Sequence, residues 1–473
     1  MLRLLILSVF TLAVFTLKAA DDLQPKIDLI LAGHRGEWGI SVQKLADGEI
    51  LHRRCADCFF TPASVTKLFS TSFALTKLGP DSRFSTRVMA AEKPMPEGRV
   101  IGSLSLVGGG DPTLTSRGYP YGSPNRPPLA ALADLADQVV SAGVTRIEGD
   151  ILGDDALWPW EPVPDGWSHD DLTWEFGASP SALEVNEGAL QLTLLPGGRP
   201  GLLARVAIQP NVEYFTLDNR VVTVAAGARQ IRVIRMPGSR QIQLIGQMAI
   251  SDAGWSVELA QDDPAHFAAV AFKQLLVERG VAVDGVARAQ HRALGQSLTA
   301  RAGVTLAERT SPPLIEILTV VNKVSQNLLA EMMLRASGGV EGLRAYLAGM
   351  GIGGPRSGAT AARFEDGSGL SRLTAVTPDA MVRLLSQKQT ADNFIATLPW
   401  GGVDGSLKMR FGRDDRAARI RAKTGGMTGV KTMAGYIDSP THGRLAFAIF
   451  VNNDHGSVDT IKRMDQIAML LTE

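Results

Sequence analysis

The sequence predicts an α/β (α+β) fold in which an antiparallel sheet is flanked by helices and carries inserted β-rich domains. Three observations predict it. Hairpin patterns lie near both ends of the chain, helical periodicities sit between them, and a long middle stretch reads as short strands broken by Gly, Pro and Asp. At 473 residues, with 45% hydrophobic and 20% charged, the chain is long enough for two or more domains.

The N-terminus opens with Met1-Leu2-Arg3, an apolar run from Leu4 to Leu17 and then Lys18-Ala19-Ala20-Asp21-Asp22. This is the layout of a secretory signal peptide over residues 1–20. The run is shorter than the roughly 20 residues a spanning helix needs, and no comparable segment follows. An exported protein of the periplasm or cell envelope is expected, at most peripherally associated with the membrane. An uncleaved anchor is the competing reading. Lysine plus arginine equals aspartate plus glutamate at 48 each, so no global charge favours nucleic acid.

Trp38 to Gln43 and Ile50-Leu51, joined through Asp47-Gly48, predict the first hairpin. Cys55 and Cys58 follow, too few for a closed zinc site and spaced for a local disulfide or for two small buried thiols. Thr61 as N-cap, Pro62 at the first helical position and apolar residues at Val65, Leu68, Phe69 and Phe73 predict a helix over about 62–78. From about residue 83 to 290, runs such as Leu203 to Ile208 and Ile231 to Ile234 predict inserted, mainly β domains with one helix from Ala130 to Ala142. Helical spacing returns at Leu314 to Val321, Leu328 to Ala336 and Pro378 to Leu385. A last hairpin, Thr432 to Ile437 with Arg444 to Val451, precedes a helix from Val458 to Leu471. Segments 21–82 and 291–473 are therefore expected to build one domain together, interrupted by 83–290.

Ser64-Val65-Thr66-Lys67 places a serine and a lysine at i and i+3, on one face of the predicted helix. A serine hydroxyl is a weak nucleophile until a neighbouring base takes its proton, and a partly buried lysine can be that base. Ser41-Val42-Gln43-Lys44 has the same spacing but falls in a predicted strand, where the two side chains point to opposite faces. Ser325-Gln326-Asn327 stands between two predicted helices, so both Ser325 and Asn327 reach one site only if the backbone turns there. Ser325 could then relay a proton, and the Asn327 amide could hold a substrate carbonyl and the lysine. Ser123-Pro124-Asn125 repeats the pattern in a loop without flanking helices. Lys423-Thr424-Gly425 follows the alternating Ala418 to Ala422. An edge strand here could pair with an extended peptide, Lys423 and Thr424 receiving a carboxylate and Gly425 admitting the ligand backbone. Each motif alone has a bland reading: a surface serine, a helix cap and a solvated lysine.

Their co-occurrence in this order is a signature of penicillin-binding proteins and class A β-lactamases. The chain resembles the low-molecular-mass class C penicillin-binding proteins, the serine D-alanyl-D-alanine carboxypeptidase/endopeptidase family. The resemblance extends to Gly108-Gly109-Gly110-Asp111-Pro112-Thr113-Leu114 and Asp366-Gly367-Ser368-Gly369-Leu370-Ser371, and to the long insertion before the Ser-x-Asn element. It implies a serine β-lactamase-like transpeptidase domain and hydrolysis of D-Ala-D-Ala termini or cross-bridges of peptidoglycan stem peptides. It further implies β-lactams as covalent inhibitors and no cofactor or metal. It also implies that Asp171 holds the ammonium of diaminopimelate. Gly426 and Gln326 depart from the family, where threonine and an acidic residue are commoner. The rival readings are a serine β-lactamase, for which Glu184 and Glu187 are the candidate deacylation bases, and a non-catalytic wall-binding protein.

Overall fold

Strands from the two ends of the chain meet in one antiparallel sheet. In the computed structural model, which describes residues 23–122, 125–299, 302–353, 361–387, 391–454 and 458–473, its order is Ile420–Met427, Gly429–Ser439, Gly443–Asp454, Glu37–Lys44, Ile50–Arg54. The register Trp38↔Val451, Ile40↔Ile449 and Val42↔Phe447 sends these large side chains to one face. There they pack beneath the helices Leu23–Leu31 and Val458–Leu470. The alternating residues Ala446, Ala448 and Phe450 face the opposite, helical layer. That layer is built from Lys67–Leu78, Leu314–Val324, Asn327–Ser337, Gly339–Gly349 and Pro378–Leu385. Each fully buried Leu, Ile or Phe there contributes about 1.5–3 kcal/mol. A disulfide joins Cys55 to Cys58 just before the nucleophile segment.

The helix expected from residue 62 starts later. Ala63–Thr66 is a 3-10 turn and the α-helix begins at Lys67, so Ser64 stands just ahead of the helix rather than in its first turn. Thr61 is no side-chain cap. Its backbone is clasped instead by Asn452, which accepts from Thr61 N (2.8 Å) and donates to Thr61 O (3.2 Å).

The insertion is less purely β than expected. A five-stranded mixed sheet runs in the order Ala287–Arg292, Ile151–Pro159, Leu104–Val107, Ser85–Ala90, Val304–Thr310, the first three parallel. The helices Ala130–Ser141 and Pro264–Glu278 cover it. Its last strand lies past residue 290, the expected end of the insertion. Two three-stranded sheets enclose a smaller core of Leu192, Leu194, Val221, Ile242, Leu244, Met248 and Leu259. The expected signal segment 1–20 lies outside the described residues. Among those described, no helix is long and apolar enough to cross a membrane.

Candidate active site

Ser64 sits on a turn held from three sides. Thr432 Oγ1 donates to Pro62 O (2.7 Å), and Gly369 lies so close that an added Cβ would come within 1.9 Å of Ala63 O. Ala63 itself has φ 48°, the left-handed region that residues with side chains seldom adopt. A Cβ on Gly425 would meet Thr432 Oγ1 at 2.2 Å, Ser64 N at 2.8 Å and Pro62 O at 2.9 Å. Glycine is thus required at 425 for the strand to lie against the nucleophile turn.

Lys67 is fully buried, and its Nζ has three neighbours: Ser64 Oγ (2.9 Å), Asn327 Oδ1 (2.6 Å) and Ser368 O (2.7 Å). As an ammonium it would donate to all three. As an amine it keeps two N–H groups, and because the amide and carbonyl oxygens only accept, its lone pair is left for the Ser64 hydroxyl. Burial lowers the Lys67 pKa from 10.5 to about 7, against the opposing pull of Asp366 and Glu331.

Lys423 is equally buried. Its Nζ donates to Ser325 Oγ (2.7 Å) and Thr424 O (2.7 Å), and burial, then the charge of Lys67, hold it well below the ordinary lysine range. Ser325 ends the helix Leu314–Val324 in a left-handed conformation (φ 70°), and Asn327 begins the next helix. That turn lets Ser325 and Asn327 share a site despite their i, i+2 spacing. The strand Ile420–Met427 runs through the Lys-Thr-Gly motif rather than stopping before it. Residues 399–401 cover its outer edge only as far as Ala422 (Gly401 N to Ile420 O, Ala422 N to Pro399 O). Among the described residues the edge from Lys423 onward carries no backbone partner, and Thr424 Oγ1 donates to Ser406 Oγ (2.7 Å).

Sequence reasoning missed Glu331 beneath this cluster and gave Asp366 no role beyond its place in the motif Asp366 to Ser371. Glu331 accepts from Gly367 N (3.0 Å) and Ser368 N (2.7 Å); burial and the neighbouring Asp366 raise its pKa. Asp366 accepts from Ser371 N (2.7 Å), Ser368 Oγ (3.1 Å) and Trp167 Nε1 (3.1 Å). Together they shape the loop whose Ser368 carbonyl holds Lys67. A lone Glu inside the apolar stretch Leu328 to Leu334 was the available signal.

The remaining candidates lie elsewhere. Ser41 is buried in the sheet and donates to Asp379 Oδ1 (2.7 Å), while its partner by spacing, Lys44, pairs with Glu49. Ser123 and Pro124 lie outside the described residues. Glu184 is buried and accepts from Val185 N (2.9 Å), its pKa raised well above the usual range by burial. Glu187 pairs with Arg117. Among the described residues neither glutamate bonds to Ser64 or Lys67. Asp171 ends the 3-10 turn His169–Asp171, its pKa raised by partial burial against the attraction of Arg372. Among the described residues it makes no bond to the Ser64 cluster, but Phe176, further along the same loop, accepts from Asn327 Nδ2 (2.8 Å).

An antiparallel sheet under helices, with Ser-x-x-Lys, Ser-x-Asn and Lys-Thr-Gly gathered around the buried Lys67 and Lys423, is the arrangement whose motifs penicillin-binding proteins and class A β-lactamases share. The comparisons with known proteins agree. Over residues 23–473 the sequence matches the D-Ala-D-Ala carboxypeptidase 3 (S13) family. It is 33% identical to a D-alanyl-D-alanine carboxypeptidase of Actinomadura sp., across 96% of this chain and 85% of that protein. It is 25% identical to the D-alanyl-D-alanine carboxypeptidase DacB of Haemophilus influenzae, across 88% and 85%. The crystal structure of penicillin binding protein 4 from Haemophilus influenzae superposes with TM-score 0.82 at 22% identity, covering 95% of this chain and 99% of that one. The chain belongs to the D-Ala-D-Ala carboxypeptidase 3 (S13) family, and it is a serine-type carboxypeptidase of that specificity.

Proposed function

We propose that Ser64 is the acylated nucleophile and Lys67 its general base in cleavage of peptidoglycan stem peptides. The observation that carries the reading is the environment of Lys67 Nζ: two acceptor-only partners hold its N–H groups and leave its lone pair to Ser64. Lys67 takes the hydroxyl proton as Ser64 Oγ attacks the penultimate D-Ala carbonyl. The oxyanion is met by backbone N–H groups, that of Ser64 and one from the strand just past Gly425. The C–N bond then breaks, and a proton passes through Ser325, backed by Lys423, to the departing nitrogen. Water hydrolyses the ester and frees Ser64. Lys423 and Thr424 receive the terminal carboxylate, and the open edge from Lys423 pairs with the peptide backbone.

Asp171 is assigned the ammonium of the third stem residue, supported by its position on the loop whose Phe176 touches Asn327. A β-lactam presents a lactam carbonyl and a carboxylate in a similar arrangement; attack by Ser64 breaks the ring C–N bond and leaves the amine tethered in the ester, and one of the solved structures of this fold is a complex with a β-lactam. Cross-bridge cleavage by the same cycle, and export to the cell envelope, complete the reading. The test is release of free D-Ala from a peptide ending in D-Ala-D-Ala. Wild type releases it, Ser64→Ala does not, and Lys67→Arg does so more slowly by about a hundredfold or more. Release by folded Ser64→Ala at the wild-type rate would overturn the assignment.

A further inference from the structure

The inserted chain grips the catalytic turn at two points. Phe176 O holds Asn327 Nδ2 (2.8 Å), and Glu187 Oε2 accepts from Gln326 Nε2 (3.3 Å). The other end of the Gln326 amide, Oε1, accepts from Leu328 N (2.9 Å) and caps the helix that begins at Asn327. Gln326 is therefore fixed at both ends of its amide, between Ser325 and Asn327.

Glu187 is itself rigidly placed. Arg117 Nη2 donates to its Oε2 (2.8 Å), Arg117 Nε donates to Oε1, and Thr115 Oγ1 lies 3.4 Å from Oε1. Its backbone is unusual: Asn186, Glu187 and Gly188 have φ of 58°, 56° and 66°, all left-handed, although two of the three carry side chains. Such conformations persist only where the surroundings impose them, and they concentrate at functional sites. A Cβ on Gly188 would come within 2.9 Å of Leu328 Cδ2 and 2.8 Å of Ala178 Cβ, so this turn is pressed against the start of the Asn327 helix.

We infer that Glu187 is a positioning residue for Ser325 and Asn327, acting through Gln326, so that the insertion forms part of the catalytic apparatus. The departure at 326 fits this role. An acidic residue there would oppose a second carboxylate at hydrogen-bond distance, whereas the glutamine amide donates to it. The inference rests on the Ser64 reading above.

The test follows acylation by a fluorescent penicillin, with the limiting rate and the apparent affinity measured separately. Gln326→Glu keeps size and capping oxygen but sets two carboxylates face to face; it is expected to slow the limiting rate about tenfold or more, with affinity within about twofold. Adding Glu187→Gln to that chain (E187Q/Q326E) restores a donor and an acceptor and is expected to recover most of the rate. Glu187→Ala is expected to slow acylation to a similar degree, and Gln326→Ala added to it to cost little more, because both act through one contact. Wild-type acylation by Q326E, no rescue in the double variant, or losses that multiply in the alanine pair would each overturn the inference. Wild-type protein that takes no label at all would instead count against Ser64 as nucleophile, a separate failure.

Discussion

Acylation of Ser64 is expected to follow the titration of Lys67. An ordinary lysine with pKa 10.5 is deprotonated in only about one molecule in three thousand at pH 7, whereas Lys67, lowered to about 7, is about half deprotonated there. Burial thus raises the population of the competent base by about a thousandfold near neutrality. The sign is fixed by the reaction: the amine accepts the Ser64 proton, so the rate rises with pH below the Lys67 pKa and levels off above it. The second-order rate of acylation, read by intact mass after rapid quenching between about pH 5 and 9, should climb about tenfold per unit and bend near 7. Lys67→Arg keeps the cation but cannot deprotonate, and should lose about a hundred- to ten-thousandfold. A rate flat across that range, or one still climbing tenfold per unit at pH 9, would refute the assignment of Lys67 as base.

Three further outcomes follow from particular contacts. Gly425→Ala drives a methyl group into Thr432 Oγ1 and Ser64 N, and should cut acylation by about a hundredfold by moving the strand off the nucleophile turn; a variant within about twofold of wild type would contradict that packing. Thr424→Val removes the hydroxyl that now meets Ser406, and should raise KM for a peptide ending in a free carboxylate while barely changing KM for its amide. Asp171→Asn should raise KM about tenfold for stem peptides with an amine on the third side chain and leave penicillin acylation unchanged; equal effects on a neutral third residue would remove Asp171 from substrate recognition.

Much of this architecture was legible because it depends on local pattern. The runs Trp38 to Gln43 and Thr432 to Ile437 mark strands buried on both faces, and the apolar spacing from Leu314 and from Pro378 marks helices with one buried side. The helix Pro264–Glu278 was missed because it is apolar over most of its surface and so lacks a clear stripe, although Asp263 before Pro264 forms a cap that could have announced it. The mixed sheet was illegible for another reason. Its parallel neighbours Leu104–Val107, Ile151–Pro159 and Ala287–Arg292 are far apart in sequence, and pairing at that distance leaves no local mark. At the site, spacing brought Ser64 to Lys67 through helix geometry, while Ala63 gave no hint of its left-handed backbone. Glu331 acts only through long-range contacts with the loop beneath Lys67, which no motif spacing encodes, whereas Asp366 shapes that loop from within through Ser368, Gly369 and Ser371.

The acyl-enzyme cycle requires that Ser64 Oγ becomes covalently bonded during the reaction. Wild type and Ser64→Ala are exposed to penicillin, their intact masses measured, and the adduct mapped by peptide fragmentation. One penicilloyl group is expected on wild type, carried by the peptide containing Ser64, and none on Ser64→Ala. An adduct on any other residue, or equal labelling of both proteins, would contradict it.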